Sequence, residues 1–249
     1  MSAKKRIDVL LVERGLVESR ERAQALILAG HVLVDDVPVT KAGHLVAIDA
    51  PIRLRGQDHP YVSRGGIKLA AALDAFGVDV KGRTALDVGA STGGFTHVLL
   101  LRDIAKVYAV DVGHNQLDWK IRQDHRVEVH EGINARQIDP ALVERPVDLI
   151  VMDVSFISLE KILAALLPLA HAETDWITLI KPQFEVGREK VGKGGIVTSE
   201  KDRQQVVERL TRFGESLGLQ RRGLIESPIT GTQGNREYLA HWKRLAELQ

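Results

Sequence analysis

Hydrophobic and polar positions follow two different patterns along the chain, and the change falls near residue 60. In the first part, apolar residues recur at helical spacing in residues 7–11 and again in residues 23–27, which predicts two short helices. Ser19 is predicted to cap the second helix, and Gly30 to end it in a left-handed conformation. Apolar and polar residues then alternate in residues 31–40 and 45–55, which predicts short strands. Residues 1–59 are therefore expected to form a small α+β unit.

The rest of the chain alternates strand and helix patterns, which is typical of a parallel sheet with helices on both faces. Strands are predicted at residues 84–88, 107–111, 127–130, 149–153 and 176–180, and helices at residues 67–76, 95–101, 159–167 and 200–217. Residues 221–226 and 237–242 are expected to form an antiparallel hairpin at the sheet edge. We therefore expect an α/β, Rossmann-like domain over residues 67–249 with seven mostly parallel strands. The polar residues 56–60 mark its boundary, and residues 60–66 are expected to link it to the first unit.

Composition removes several classes of protein. The chain has 249 residues, of which 44% are hydrophobic and 27% charged, and these values are typical of globular proteins. There is no apolar run long enough to span a bilayer, and acidic residues interrupt the N-terminal hydrophobic stretch, so we expect a cytoplasmic protein without a membrane partner. The absence of cysteine excludes disulfides, thiolate nucleophiles and sulfur-ligated metals, and no metal site is expected. The net charge of +1 leaves nucleic-acid binding to be decided by where the charges lie.

A glycine-rich turn follows the first strand of the large domain, with the sequence Asp-Val-Gly-Ala-Ser-Thr-Gly-Gly-Phe. Open α/β sheets bind ligands at this position. The turn lacks the Gly-Lys-Ser/Thr of a phosphate-binding loop, and its second glycine comes too late for a dinucleotide fingerprint. It resembles instead the first motif of S-adenosylmethionine-dependent methyltransferases. The residues predicted to bind the cofactor in this turn are Asp87, Gly89, Ala90, Ser91, Gly93, Gly94 and Phe95.

Two residues after later strands complete the predicted cofactor site. Asp111 ends the second strand, where its carboxylate can accept both ribose hydroxyls of an adenosine. Asn134 follows the third strand, and its amide can hydrogen-bond the adenine edge. The order of the glycine turn, Asp111 and Asn134 along one strand and helix series favours S-adenosylmethionine as the cofactor.

Methyl transfer to a hydroxyl requires the proton to be removed or the developing negative charge to be offset. Asp153 and Lys181 each follow an apolar strand, at the edge where the cofactor is expected. With Lys68 and Glu237 they resemble, in chain order, the K-D-K-E tetrad of the FtsJ-like ribose 2′-O-methyltransferases. The resemblance implies that Lys181 lies nearest the 2′-hydroxyl, that Asp153 and Glu237 orient it, and that Lys68 holds the acceptor. Because the flanking carboxylates favour the ammonium form of Lys181, we expect it to position the hydroxyl and stabilise charge.

The first unit resembles the S4 RNA-binding domain through the pattern that begins Arg6-Ile7-Asp8 and continues from Ser19 to Val34, although Asp35-Asp36 replaces the usual Asn-Gly turn. Guanidinium groups suit phosphates because their donors match the phosphate oxygens. Aromatic residues do not alternate with the arginines and lysines of this unit. The unit is therefore expected to recognise the shape of the RNA backbone more than the identity of the bases. The loop over residues 186–195 either closes over RNA or is simply solvated. The residues predicted to contact RNA are Arg6, Arg20, Arg22, Lys41, Arg64, Arg188, Lys190 and Lys193.

Three further segments, residues 63–69, 151–156 and 181–185, extend the resemblance to the TlyA and hemolysin A family over essentially the whole chain. That resemblance implies 2′-O-methylation of a cytidine in ribosomal RNA, either free or in ribosomal subunits. One alternative is an RNA-binding protein with a non-catalytic methyltransferase fold, which the intact tetrad opposes. A membrane-lytic protein is opposed by the charges around the helix at residues 200–217. A NAD-dependent oxidoreductase is disfavoured by the glycine spacing.

Overall fold

The computed structural model describes residues 4–17, 19–54, 59–231 and 233–244, with the side chain of Arg188 left out. The chain divides into two compact units, Met1–Pro60 and Tyr61–Gln249. Residues 56–58 of the predicted boundary stretch lie outside the described residues.

Among its described residues, the smaller unit has two helices and two small antiparallel sheets. Its strands are β1 (Lys4–Arg6), β2 (Val32–Val34), β3 (Val37–Pro38), β4 (Leu45–Ala47) and β5 (Ile52–Leu54), and its helices are α1 (Ile7–Glu13) and α2 (Arg20–Leu28). Strand β1 pairs with β4, and β2 lies between β3 and β5. The predicted cap is present, because the Ser19 hydroxyl accepts a hydrogen bond from the Arg22 backbone amide at 3.2 Å. Gly30 adopts the predicted left-handed conformation with φ of +71°.

The larger unit is built on one seven-stranded sheet. Its strands are β6 (Thr84–Val88), β7 (Lys106–Asp111), β8 (Val127–Glu131), β9 (Val147–Met152), β10 (Ala170–Ile180), β11 (Leu219–Glu226) and β12 (Tyr238–Arg244). They lie in the order β11-β12-β10-β9-β6-β7-β8. The five strands from β10 to β8 are parallel, and β12 pairs antiparallel with both β10 and β11. The predicted fold, a mostly parallel sheet with an antiparallel C-terminal hairpin, is confirmed.

Helices cover both faces of this sheet. They are α3 (Gly65–Phe76), α4 (Gly94–Leu101), α5 (Trp119–Arg122), α6 (Glu160–Leu166), α7 (Pro182–Glu185) and α8 (Glu200–Ser216). Because successive strand residues point to opposite faces, each strand feeds two apolar cores. Leu86 and Ile150 pack with α6 and α8 on one face, whereas Ala85 and Leu149 pack with α3 and α4 on the other. None of the described helices is long and apolar enough to cross a membrane.

The elements begin or end at residues slightly different from those predicted. Helix α3 begins at Gly65, inside the stretch that was expected to be a linker. Strand β10 begins at Ala170, earlier than the predicted residue 176. The prediction missed its first residues because they are partly exposed and show no continuous apolar run. The single-turn helices α5 and α7 were not predicted. Lys181 follows the end of β10, and helix α7 begins at the next residue, Pro182. The helix therefore fixes the direction of the chain directly after Lys181.

Candidate active site

The order of the strands reverses between β6 and β9, and the segments after these two strands meet at the carboxyl edge of the sheet. Gly89, in the glycine-rich turn after β6, has a φ of +84°. A Cβ atom on Gly89 would come within 2.6 Å of the backbone carbonyl oxygen of Asp153, which follows β9. Glycine is therefore required at residue 89 both by the backbone conformation and by the close approach of the two segments.

A cavity of about 510 Å³ lies on the β7 side of this junction. Both oxygens of the Asp111 carboxylate accept backbone hydrogen bonds, from the Ser91 amide at 2.8 Å and from the Gly113 amide at 2.7 Å. These two bonds fix the carboxylate beside the glycine turn and leave lone pairs for further donors. The predicted cofactor residues that line this cavity are Gly89, Ser91, Asp111 and Asn134.

The fixed carboxylate and the side-chain-free turn fit an adenosine-containing cofactor. Asp111 can accept ribose hydroxyls, and the cavity beside it has apolar walls that include Val110, Ile133 and Val154. The Asn134 side-chain oxygen accepts from the Arg136 backbone amide at 3.1 Å, which fixes its orientation. The Asn134 amide nitrogen is the group left to donate to a ligand.

Asp87 is placed differently from the other predicted cofactor residues. Its side chain is completely buried and does not line the cavity, and its carboxylate accepts a hydrogen bond from the Thr96 hydroxyl at 2.6 Å. Burial, together with the negative charges of Asp153 and Asp111, raises the pKa of Asp87 to about 7. The expected contact between Asp87 and a cofactor is therefore replaced by a contact that ties the end of β6 to α4.

The remaining glycine-turn residues lie toward a second cavity, which also contains the residues predicted to bind the methyl acceptor and is called the acceptor cavity. Ala90, Gly94 and Phe95 line the acceptor cavity instead of the cavity beside Asp111. Gly93, the residue directly before α4, has a φ of +91°, and a Cβ there would come within 2.8 Å of Leu117. These residues therefore shape the turn and the acceptor cavity, a division of roles that the linear motif does not reveal.

The acceptor cavity, of about 420 Å³, brings together all four residues of the predicted tetrad. The Lys68 ammonium lies 2.6 Å from the Glu237 carboxylate, and the Lys181 ammonium lies 2.5 Å from the Asp153 carboxylate. These side chains are mostly buried, with exposed fractions of 10% for Lys68, 2% for Glu237, 11% for Lys181 and 22% for Asp153. Each ammonium is thus compensated by one carboxylate, as buried charges require.

The two cavities adjoin each other, since Gly89, Ser91 and Asp153 line both of them. A molecule beside the turn and a molecule beside Lys181 would therefore meet at Asp153. This adjacency is the geometry needed for direct transfer of a group from one molecule to the other.

Two residues of the acceptor site were not predicted from the sequence. The Gln183 amide donates to the second oxygen of Glu237 at 3.0 Å, and the Lys181 ammonium donates to the Ser155 hydroxyl at 2.9 Å. Each lies two residues beyond a tetrad member, Gln183 after Lys181 and Ser155 after Asp153. That proximity to a tetrad residue is the sequence signal that could have marked them as candidates, although it does not indicate which residue each one contacts.

In the smaller unit, two predicted RNA-binding arginines share one buried acid. The Asp8 carboxylate accepts from Arg6 and Arg20, each at 3.0 Å, and from the Gln24 amide at 3.2 Å. Asp8 is completely buried, whereas Arg6 and Arg20 are 48% and 53% exposed. Hydrogen bonding to Arg6 holds the pKa of Asp8 well below its usual range. The acid therefore fixes both guanidinium groups at the surface.

The other predicted RNA-binding residues have varied surroundings. Arg64 is exposed and lines the acceptor cavity. Lys190 forms an ion pair with Asp202 at 2.7 Å, and its contact with RNA stays a prediction. The side chain of Arg188 lies outside the described residues. Those that lie exposed elsewhere are Arg22, Lys41 and Lys193.

The larger unit combines a parallel sheet and an antiparallel edge hairpin with a glycine turn beside a fixed carboxylate. An adjoining cavity holds two ammonium-carboxylate pairs. Together these features are typical of the class of nucleoside-cofactor methyltransferases. Comparison with known families agrees: residues 61–244 match the FtsJ-like methyltransferase model, and residues 5–51 match the S4 domain. The chain belongs to the FtsJ-like methyltransferases, and within them to the family of TlyA and hemolysin A. Among the described residues, no group of three or more His, Asp or Glu side chains is arranged to hold a metal.

Relatives cover nearly the whole chain. The 16S/23S rRNA (cytidine-2′-O)-methyltransferase TlyA of Mycobacterium tuberculosis is 44% identical over 98% of this chain and 91% of that protein. Hemolysin A of Brachyspira hyodysenteriae is 42% identical over 95% of this chain and 99% of that protein. A solved structure of a hemolysin-named protein from Streptococcus thermophilus has a TM-score of 0.77 and 42% identity, covering 98% of this chain and 90% of that one.

Proposed function

We propose that this protein transfers the methyl group of S-adenosylmethionine to the ribose 2′-hydroxyl of a cytidine in ribosomal RNA. The observation that carries the proposal is the cavity in which Lys68, Asp153, Lys181 and Glu237 converge, next to the cavity beside Asp111. The target nucleotide follows from the name of the Mycobacterium tuberculosis relative, which methylates cytidine in 16S and 23S rRNA. Because the proposed substrate is ribosomal RNA, a cytoplasmic location is part of the same proposal.

The cofactor supplies an electrophilic methyl group on a sulfonium. Asp111 would hold the ribose of this cofactor and Asn134 the adenine edge, while the backbone of residues 89–91 would lie beside its methionine portion. Because Gly89 and Asp153 approach each other so closely, the transferred methyl would lie at the boundary between the two cavities.

Lys181 is the residue that we place at the acceptor oxygen. One N–H of the Lys181 ammonium donates to Ser155, and the ammonium charge is paired with the Asp153 carboxylate at 2.5 Å. The remaining N–H donors are left to hold the 2′-oxygen and to offset the negative charge that develops there as the hydroxyl proton is released to solvent. Glu237, held between Lys68 and Gln183, fixes the opposite side of the cavity.

The S4 domain is proposed to bind the ribosomal RNA. Arg6 and Arg20 present guanidinium donors at fixed positions, because both are anchored on buried Asp8. Fixed guanidinium groups lose less side-chain entropy when they pair with phosphates, so they support binding to the RNA backbone.

Two measurements test the proposal. Calorimetry is expected to show that S-adenosylmethionine binds the purified protein and that NAD does not; the reverse preference would reject the cofactor. Ribosomal subunits and deproteinised rRNA are then incubated with the protein and S-adenosylmethionine, digested to nucleosides and analysed by mass spectrometry. We expect 2′-O-methylcytidine in at least one of the two substrates, whereas a base-methylated product or no product would reject the function.

A further inference from the structure

The Lys181 ammonium has two partners on a single segment that follows β9. It lies 2.5 Å from the Asp153 carboxylate and 2.9 Å from the Ser155 hydroxyl. The ion pair with Asp153 compensates the charge of the ammonium, whereas the hydrogen bond to Ser155 is directional and fixes one of its N–H groups. The contact with Ser155 therefore sets the directions in which the remaining N–H donors point.

Glu185 anchors the far end of the same segment. Its carboxylate, 2% exposed, accepts from the Ser158 hydroxyl at 2.7 Å and from the Leu159 backbone amide at 2.8 Å. Arg209 compensates the buried charge at 2.8 Å. Burial raises the pKa of the Glu185 carboxyl above its ordinary value.

The anchor at Glu185 connects the two chain segments that carry the reacting groups. Glu185 ends α7, which begins immediately after Lys181, and it bonds to residues only a few positions beyond Asp153. The segments after β9 and β10 are thus tied together at both ends. Between these ties, Ser155 is held close to Lys181 even though the residue itself is exposed.

We propose that Ser155 is a positioning residue that orients the Lys181 ammonium toward the 2′-hydroxyl. The inference rests on the proposed function, because it concerns the oxygen that Lys181 holds during methyl transfer. A hydroxyl suits this task since it accepts one N–H without adding a second negative charge beside the lysine. Ser155 also lines the cavity beside Asp111, so its role in cofactor binding must be separated from its role at Lys181.

The test compares Ser155→Ala with Ser155→Thr, using steady-state methylation of the RNA substrate. Loss of one hydrogen bond to a charged group corresponds to about a tenfold change in rate. We expect Ser155→Ala to lower kcat about tenfold while the KM values for S-adenosylmethionine and RNA change less than about twofold. Ser155→Thr keeps the hydroxyl and is expected to retain most of the activity.

Ser216→Ala is the matched control, because the Ser216 hydroxyl bonds to the Phe213 carbonyl at the end of α8, away from both cavities. Unchanged kcat in Ser155→Ala, or equal losses in Ser155→Ala and Ser155→Thr, would overturn the inference. A rise in the KM for S-adenosylmethionine with kcat retained would assign Ser155 to cofactor binding and would also overturn it. If the wild-type protein transfers no methyl group, the proposed function itself fails, which is a distinguishable result.

Discussion

The backbone carbonyl of Asp153 lies against Gly89, so that a Cβ on the glycine would come within 2.6 Å of it. This contact joins the turn that is proposed to hold the cofactor to the residue that holds Lys181. The two halves of the reaction are therefore placed by one backbone contact, and a change at Gly89 is expected to disturb both.

Gly89→Ala is expected to lower the affinity for S-adenosylmethionine at least tenfold, measured by calorimetry. The new methyl must strain a backbone with φ of +84° and also displace a backbone atom that has little room to move. Gly77→Ala is the control, because Gly77 has a similar φ of +64° and no neighbouring atom within 4 Å of its added Cβ. Equal losses of cofactor affinity in the two variants would show that the contact with Asp153 does not matter.

Lys68 and Glu237 form a buried pair, so removing either partner leaves an uncompensated charge. Lys68→Met and Glu237→Gln are each expected to lower the free energy of unfolding by about 3 kcal/mol. The double variant should lose less than the sum of the two. Urea unfolding followed by tryptophan fluorescence measures this, since Trp119, Trp176 and Trp242 all lie in the larger unit.

The exposed pair of Lys81 and Asp103, 3.7 Å apart, provides the comparison for this cycle. Lys81→Ala is expected to change the free energy of unfolding by less than about 1 kcal/mol, because solvent screens the pair. Strict additivity in the buried pair would contradict its assignment as a mutually compensated unit.

Asp87 predicts a pH dependence of stability. Its pKa of about 7 in the folded protein lies above the ordinary value of 3.8, so the folded state holds the proton more tightly than the unfolded chain. The stability that this group contributes is present below pH 4 and is lost as the pH rises through about 7. Asp87→Asn cannot ionise, so it does not lose this stability as the pH rises. The difference in free energy of unfolding between the variant and the wild type should therefore shift by about 2 kcal/mol in favour of the variant from pH 5 to pH 8.

Asp124→Asn is the control with the opposite sign. Hydrogen bonding to Arg126 lowers the pKa of Asp124 from 3.8 to about 2. The stability that this group contributes is therefore present above pH 4 and is lost only as the pH falls through about 2. Asp124→Asn should therefore differ from the wild type by the same amount at pH 5 and pH 8. If Asp87→Asn behaves in the same way, Asp87 is ionised throughout this range.

Asp8→Asn is expected to lower the affinity for rRNA about fivefold, although it removes a negative charge. The loss is expected because Arg6 and Arg20 would no longer be fixed on one carboxylate. Filter binding at matched salt measures the affinity, and circular dichroism checks the fold. Glu21→Gln removes a charge from an exposed position on α2 and should leave the affinity unchanged or raise it. Equal behaviour of the two variants would remove the anchoring role of Asp8.

The sequence predicted the sheet and the meeting of Asp153 with Lys181 from local patterns, whereas Lys68 and Glu237 were predicted from the resemblance to the K-D-K-E tetrad. Alternating strands and helices fix a parallel sheet, and residues placed after parallel strands meet at one edge. The partners of those residues could not be predicted in this way. That Ser155 contacts Lys181, and that buried Asp8 holds two arginines, depends on how distant segments pack. Asp87 shows the same limit, since its motif indicates a ligand contact whereas its burial directs it to Thr96.

The most direct test measures which atom of the RNA receives the methyl group and whether the transfer requires Lys181. The RNA substrate is incubated with tritiated S-adenosylmethionine and either the wild type or Lys181→Ala, then hydrolysed with alkali, which cannot cleave next to a methylated 2′-oxygen. We expect label in alkali-resistant dinucleotides with the wild type, and none with Lys181→Ala, although that variant is expected to bind the cofactor. Label in mononucleotides, or undiminished transfer by Lys181→Ala, would contradict it.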